Sequence, residues 1–183
     1  GWEELELEVV WDAKNQLITV CFIENVDAMG VHTGDSYCTA PMLTISKELQ
    51  ERLQKYSYDI VEAIQVIGGT NVQFAHDPET DRVVVIEINP RTSRSSALAS
   101  KATGFPIAYV SALLAGGMTM DEIPYWRDGT LEKYTPSGDY VVAKFSRWAF
   151  EKFPGLEDKL GTQMRAVGEV MSLGKTYKES FQK

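Results

Sequence analysis

Residues 71–91, NVQFAHDPETDRVVVIEINPR, restrict the fold of this chain more than any other segment. Residues 72–75 and 83–88 carry the Val, Ile and Phe of two strands, and His76-Asp77-Pro78-Glu79-Thr80 between them supplies turn chemistry. With the turn centred near Pro78 and Glu79, Gln73 falls opposite or nearly opposite Glu87, and side chains so paired sit about 4.5–5.5 Å apart at Cβ. Glu87 and Asn89 are two residues apart and share one face of their strand. Two readings stand. In one, an amide oxygen, a carboxylate and a second amide oxygen converge as hard ligands suited to Mg²⁺, with Arg91 just past the strand end offering its planar fork to a phosphate. In the other, the alternation marks a wet face and nothing more. Strict alternation puts Val83 and Val85 on the face of Glu87 and Asn89. That face is therefore expected to be buried for most of its length and polar only at its end, where a site would sit.

Composition narrows the class. With 183 residues and 44% hydrophobic content the chain can bury one core. A net charge of -8 leaves no basic patch on which to found nucleic-acid binding. No apolar run approaches the roughly 20 residues that span a bilayer, and no signal-peptide pattern opens the chain, so a cytoplasmic setting is expected. Cys21 and Cys38 have neither zinc spacing nor a disulfide framework and read as small buried hydrophobes. The chain opens on strand-like sequence without a methionine. It closes where Thr176 and Glu179, at capping-box spacing, should start a helix, so it reads as a piece of something larger.

Along the chain, Glu4, Glu6 and Glu8 alternate with Leu5, Leu7 and Val9 in a first strand whose acidic face is expected to be solvated. Asp12-Ala13-Lys14-Asn15 turns it into a second strand at residues 17–23. Ser46 should cap a helix whose apolar residues are Leu49, Leu53, Tyr56, Ile60 and Ile64. Residues 93–103 predict a helix stopped by Gly104, and residues 107–114 a second, apolar one. Residues 121–123 predict a helical turn, 140–145 a strand and 164–171 an extended stretch. Trp126 and Trp148 read as packing. The expected class is α+β: an antiparallel sheet with helices packed on one side, residues 118–183 forming a C-terminal appendage of the same domain.

IEINPRTSRSSALASKATGFPIA (86–108), FIENVDAMGVHTGDS (22–36) and GGTNVQFA (68–75) closely resemble the ATP-grasp core of the carbamoyl-phosphate synthetase large subunit. An acid-x-Asn-Pro-Arg is common to many ATP-grasp enzymes. The long SRSSALASKATGFP continuation resembles the first synthetase unit, which phosphorylates bicarbonate. The second unit, which phosphorylates carbamate, departs from this pattern just after the Asn-Pro-Arg. The resemblance spans essentially the whole chain and implies the C-terminal portion of that first unit.

The resemblance also implies roles. Gln73, Glu87 and Asn89 would be the ligands of Mg²⁺ or Mn²⁺, and Gln73 and Glu87 would also lie against the phosphates of ATP. Glu4 would take the ribose, and Gly30, Val31 and His32 would lie in the nucleotide site. Arg91 would steady the transferring phosphoryl group or orient bicarbonate. For Arg94, a share in the same anion and a helix-end contact both stand. Asp35 is expected to brace its loop. The hydroxyls of Ser93, Ser95 and Ser96 should satisfy amides at a helix start, and Lys101 should be solvated. Implied partners are a preceding ATP-grasp lobe, a second synthetase unit, and a glutamine amidotransferase small subunit supplying ammonia; without that lobe the chain is expected to be silent. Another ATP-grasp carboxylase or ligase, such as a biotin carboxylase, would explain the Glu-x-Asn-Pro-Arg but not the continuation. A scaffold fragment without catalysis is the remaining reading.

Overall fold

The computed structural model describes residues 1–125 and 129–183. In chain order the elements are β1 (Glu3–Trp11), β2 (Leu17–Asn25), β3 (Cys38–Ala40), α1 (Lys47–Ile64), β4 (Gly68–Asp77), β5 (Arg82–Asn89), α2 (Arg94–Thr103), α3 (Ile107–Ala115), the short pair β6 (Pro124–Tyr125) and β7 (Gly129–Thr130), β8 (Val141–Trp148), β9 (Ala166–Gly174) and α4 (Tyr177–Gln182). Seven of these strands form one antiparallel sheet in the order β5-β4-β1-β2-β3-β8-β9. The strands contributed by the last third of the chain extend this same sheet through β3. No single helix among the described residues is long and apolar enough to cross a membrane.

The helices start where the sequence places its caps. Ser46 Oγ accepts from Leu49 N at 3.2 Å to open α1, and Thr176 Oγ1 accepts from Glu179 N at 3.2 Å to open α4. Ser93 and Ser96 form a reciprocal capping box at α2, and Gly104, at φ 74°, ends that helix in the left-handed conformation glycine tolerates. The stripe of α1 that is buried is Leu49, Leu53, Ser57 and Val61, spaced by four; Tyr56 and Ile64, expected inside, lie on its exposed flank.

The helices were expected on one side of the sheet and instead cover both faces. Leu5, Leu7 and Val9 of β1, with Val72 and Phe74 of β4, pack under Leu49, Leu53 and Val61 of α1. Val10, Ile18, Val20 and Ile23 pack on the opposite face against Leu98 of α2 and Ile107, Val110 and Leu114 of α3. β1 thus presents an apolar row to α1 and, on its other face, three glutamates that give way to Val10. The start of α2 seats Ser95 and Ser96 over those glutamates, so Glu6 and Glu8 are buried, at 0% and 1% exposure, rather than solvated. Period-two alternation records which residues are polar; it does not record what covers them.

A β-bulge decides how β5 presents its side chains. Gln73 pairs with Glu87 as the turn geometry predicted, but Phe74 pairs with Val85, which leaves Ile86 as the extra residue. The extra residue inverts the parity, so Val83 and Val85 face the α1 side while Glu87 and Asn89 face the other. The expectation that all four share a buried face is corrected on both counts, because β5 is also an edge strand and Val84, Val85 and Ile86 are exposed. Close packing fixes the start of β4: Gly69 N donates to Ser111 Oγ at 3.0 Å, and a Cβ at Gly69 would meet that oxygen at 3.0 Å and Ile107 Cγ2 at 3.1 Å. At the far edge, Tyr37 stacks on Phe145 at 4.3 Å between ring centroids, and Phe181 of α4 closes edge-on over Tyr37. Trp148 is half-buried and its Nε1 donates to Asp35 O; the packing expected of Trp126 lies outside the described residues. Cys21 and Cys38 are free and buried, and burial pushes the thiol of Cys38 up to about 12, so neither is a nucleophile at neutral pH.

Candidate functional site: a nucleotide cleft at the β4–β5 hairpin

Two adjoining cavities form one cleft along the hairpin. One, of about 200 Å³, is lined by Glu4, Met29, Gly30, Val31, Ile86 and Thr162. The other, of about 310 Å³, is lined by Asn71, Asn89, Arg91, Arg94, Ser95 and Lys144. His32, Thr33, Gln73 and Glu87 line both and mark the junction. The first cavity has the apolar walls a base requires, and the second gathers the cations and amide groups that suit phosphates. A larger hollow of about 600 Å³, bounded by Phe22, Gln50, Gln54 and Thr135 among others, carries one carboxylate, Asp139, and no lysine or arginine.

The expected metal-binding set comes together. Gln73 lies directly across from Glu87, and Asn71 directly across from Asn89. Asn89 Nδ2 donates to Glu87 Oε1 at 2.9 Å, so the two side chains share a face, and Arg91 Nη2 donates to Asn89 Oδ1 at 3.2 Å. Gln73 Nε2 donates to Asn71 Oδ1 at 3.0 Å and to Thr33 Oγ1 at 3.3 Å, which leaves Gln73 Oε1 free to accept from the cleft. The donors are thus one carboxylate and two amide oxygens, a set that fits Mg²⁺ or Mn²⁺ with phosphate oxygens and waters completing the shell. Among the described residues no three His, Cys, Asp or Glu side chains gather as a metal cage, so phosphates would have to supply most of the ligand charge.

The glycine loop is held from both ends. His32 Nδ1 accepts from Gly34 N at 2.9 Å, which leaves Nε2 as the donor of a neutral ring. A Cβ at Gly34 would stand 2.6 Å from Met164 Sδ and 3.1 Å from His32 Nδ1, so a side chain there would displace the exposed end of Met164 and press on the His32 ring. Asp35, fully buried, accepts from Arg165 N at 2.7 Å and Ala166 N at 2.7 Å, the bracing role expected of it. Arg94 pairs with Glu169 at 2.9 Å and donates to Gly34 O and Ala166 O, which ties the start of α2 to β9. Ser93 and Ser96 cap α2 as expected, but Ser95 and Ser96 also donate to Glu6 and Glu8, and Lys101 is exposed as expected.

Electrostatics single out residues that sequence reasoning passed over. Lys144 is fully buried, with Nζ donating to Thr33 O at 2.9 Å, and it lines the phosphate end of the cleft. A lysine inside the strand run Val-Val-Ala-Lys-Phe was the available signal. Burial, with Glu6 beside it, pushes the Glu4 carboxyl up to about 7, against the pull of Lys144. Burial and Glu6 push the Glu8 carboxyl up to about 8, against hydrogen bonds from Ser96 and Asn71. Glu6 accepts from Asn25 Nδ2 at 2.8 Å, Asn71 Nδ2 at 2.9 Å and Ser95 Oγ at 2.8 Å, a fully partnered buried carboxylate.

The class follows from the sheet and its helices together: this is the ATP-grasp fold. The structure superposes on pyruvate carboxylase from Rhizobium etli with a TM-score of 0.65 at 18% identity, covering 79% of this chain and 14% of that one. It superposes on biotin carboxylase from Campylobacter jejuni, solved as a β,γ-ATP complex, with a TM-score of 0.61 at 16% identity, covering 79% of this chain and 30% of that one. Within that class the sequence is specific. Residues 1–123 match the family model of the carbamoyl-phosphate synthase L chain, ATP binding domain, and the chain belongs to that family. All of it aligns with carbamoyl phosphate synthase large chains, at 56% identity in Thermotoga petrophila and 57% in Deinococcus deserti, covering 17% and 18% of those proteins. The arginine-specific chloroplastic large chain of Oryza sativa is 55% identical over the whole of this chain and 16% of its own length. The chain therefore spans less than a fifth of the length of the curated relatives it matches.

Proposed function

We propose that this chain is the C-terminal part of the ATP-grasp unit that phosphorylates bicarbonate within a carbamoyl-phosphate synthase. The observation that carries the reading is the convergence of Gln73, Glu87 and Asn89, with Arg91 beside them, at the phosphate end of a cleft that continues to Glu4 and the Gly30–Val31–His32 loop. In this reading Met29, Val31 and Ile86 pack the base, and Glu4 accepts hydroxyl hydrogen bonds from the ribose. Gln73, Glu87 and Asn89 hold Mg²⁺ or Mn²⁺, which when bound neutralises charge on the β- and γ-phosphates. Arg91 turns its fork to the transferring phosphoryl group, and buried Lys144 adds fixed positive charge at the same end. A bicarbonate oxygen attacks the γ-phosphorus, the bond to the β-phosphate oxygen breaks, and ADP leaves; the protein contributes positioning and charge.

The same reading assigns the rest of the reaction to segments other than these 183 residues. Ammonia from a glutamine amidotransferase small subunit attacks carboxyphosphate to give carbamate, which a second synthetase unit phosphorylates. A preceding ATP-grasp lobe closes the cleft over the phosphates. The test is Glu87→Gln in the intact synthase. Removing the one carboxylate of the donor set should cut bicarbonate-dependent ATP hydrolysis at least tenfold with an unchanged circular dichroism spectrum, since Glu87 sits exposed on an edge strand. Retention of full bicarbonate-dependent hydrolysis would overturn the assignment.

A further inference from the structure

Which end of the Gln73 amide faces the cleft is not left to that residue. Asn71 Nδ2 lies 2.9 Å from Glu6 Oε2 and 3.0 Å from Glu8 Oε1, two oxygens of buried carboxyl groups. The two oxygens of Glu6 already accept from Asn25 Nδ2 and Ser95 Oγ, and Asn71 meets Glu6 and Glu8 with its NH₂. Asn71 Oδ1 is thereby turned toward Gln73 and accepts from its Nε2 at 3.0 Å. With Nε2 also reaching Thr33 Oγ1, the oxygen of Gln73 is the end left for the cleft. Glu6 itself cannot swing, because Asn25 Nδ2 and Ser95 Oγ hold its two oxygens at 2.8 Å each. We infer that Glu6 is a positioning residue for the nucleotide-bound metal: through Asn71 it fixes the amide orientation of Gln73, so that an oxygen and not an NH₂ is presented as ligand. The inference rests on the proposed role of Gln73 as a metal ligand and deepens it. An amide flips between two nearly isosteric ends, and only an acceptor-only anchor at the far end of the relay makes one of them wrong.

The relay makes a prediction that bulk charge does not. In the intact synthase, Mn²⁺ affinity is read by electron paramagnetic resonance of free Mn²⁺ in the presence of a non-hydrolysable ATP analogue, scoring the site that Glu87→Gln abolishes. Glu6→Gln leaves Glu8 as the one carboxyl acceptor on Asn71 Nδ2, loosens the hold on the Asn71 amide so that Gln73 can present its NH₂, and should weaken Mn²⁺ binding about tenfold. Gln73→Glu alone should also weaken it, although it adds a carboxylate, because the new group meets Asn71 Oδ1 acceptor to acceptor. Combined, the two changes should bind better than Gln73→Glu alone, since Asn71 can then turn its NH₂ to residue 73. A fall on Glu6→Gln of the same size in both backgrounds would reduce Glu6 to a distant negative charge and overturn the relay. Tighter binding by Gln73→Glu alone would also overturn it, and this decides the matter should Glu6→Gln not fold. Absence of any Glu87-dependent Mn²⁺ site in the wild-type protein would instead remove the metal assignment, and the relay with it.

Discussion

Replacing Glu8 by Gln in the 183-residue chain exchanges a buried carboxyl for a group that cannot ionise and keeps both of its contacts. The new carbonyl can accept from Asn71 Nδ2 and the new amide can donate to Ser96 Oγ, in place of the present bonds at 3.0 Å each. The groups facing Glu8 are Glu6 from its own strand, Cys21 from β2, Asn71 from β4, Ser96 from α2, and Arg91 at longer range. Burial first and Glu6 second push its carboxyl from 4.5 up to about 8. The folded state therefore keeps a proton that the unfolded chain gives up above pH 4.5. Stability rises with pH where the unfolded state binds more protons; here the folded state binds more, so stability falls as pH rises. The loss runs at about 1.4 kcal/mol per pH unit, reaches about 3 kcal/mol at pH 7, and levels off above pH 8 on the order of 5 kcal/mol. Glu8→Gln escapes it. Urea unfolding of both proteins in steps from pH 5 to pH 8.5 should show the variant gaining on the wild type with that slope, whatever constant offset the altered hydrogen bonds add. A stability difference that stays flat over this range would refute the reasoning, because it would mean that Glu8 ionises as readily in the fold as in the unfolded chain.

Arg91→Lys in the intact synthase should keep the charge, lose the bidentate fork and lower bicarbonate-dependent ATP hydrolysis at least tenfold; an unchanged rate would return Arg91 to its contacts with Asn89 and Thr92. Asp35→Ala removes the acceptor of two backbone N–H groups in a buried loop and should cost about 3 kcal/mol in urea unfolding, with a weaker grip on nucleotide because the glycine loop loses its brace. The 183-residue chain by itself should bind Mg·ATP no tighter than about millimolar by calorimetry and show no bicarbonate-dependent hydrolysis, since positioning supplies much of the rate in phosphoryl transfer and the proposed reading assigns the other wall of the cleft to a preceding lobe. Robust hydrolysis by this chain would show that the functional unit ends elsewhere.

What the sequence disclosed was local. Ser46, Ser93 and Thr176 announce their helices because a cap acts over three residues, and the Gln73–Glu87 register follows from a turn of known chemistry. What it concealed depended on partners far along the chain. The bulge at Ile86 inverts half of β5, yet Val-Val-Val-Ile carries no glycine or proline to mark it. Glu6 and Glu8 look like a wet face because the serines that cover them lie almost ninety positions away. Lys144 was hidden the same way: its hydrogen-bond acceptor, Thr33 O, belongs to a loop 111 residues earlier.

Glu6, Glu8 and Lys144 share a physical character. Each is a charged or titratable group taken out of water, and replacing such groups together with their partners by well-packed apolar side chains is often neutral or stabilising. Val10, next along the face of Glu4, Glu6 and Glu8, shows that the face accepts an apolar residue one step away. A buried carboxylate whose oxygens are all held has one property no apolar replacement can copy: it is an acceptor of fixed direction. Asn71 and Gln73 transmit that direction to the cleft, and Lys144 fixes the Thr33 carbonyl in the loop whose side chain meets the same amide. The polar interior of this sheet is thus best understood as the support that aims the ligands at its rim. Its substitution by apolar residues should therefore raise the melting temperature of the chain while lowering the affinity of its cleft for Mn²⁺.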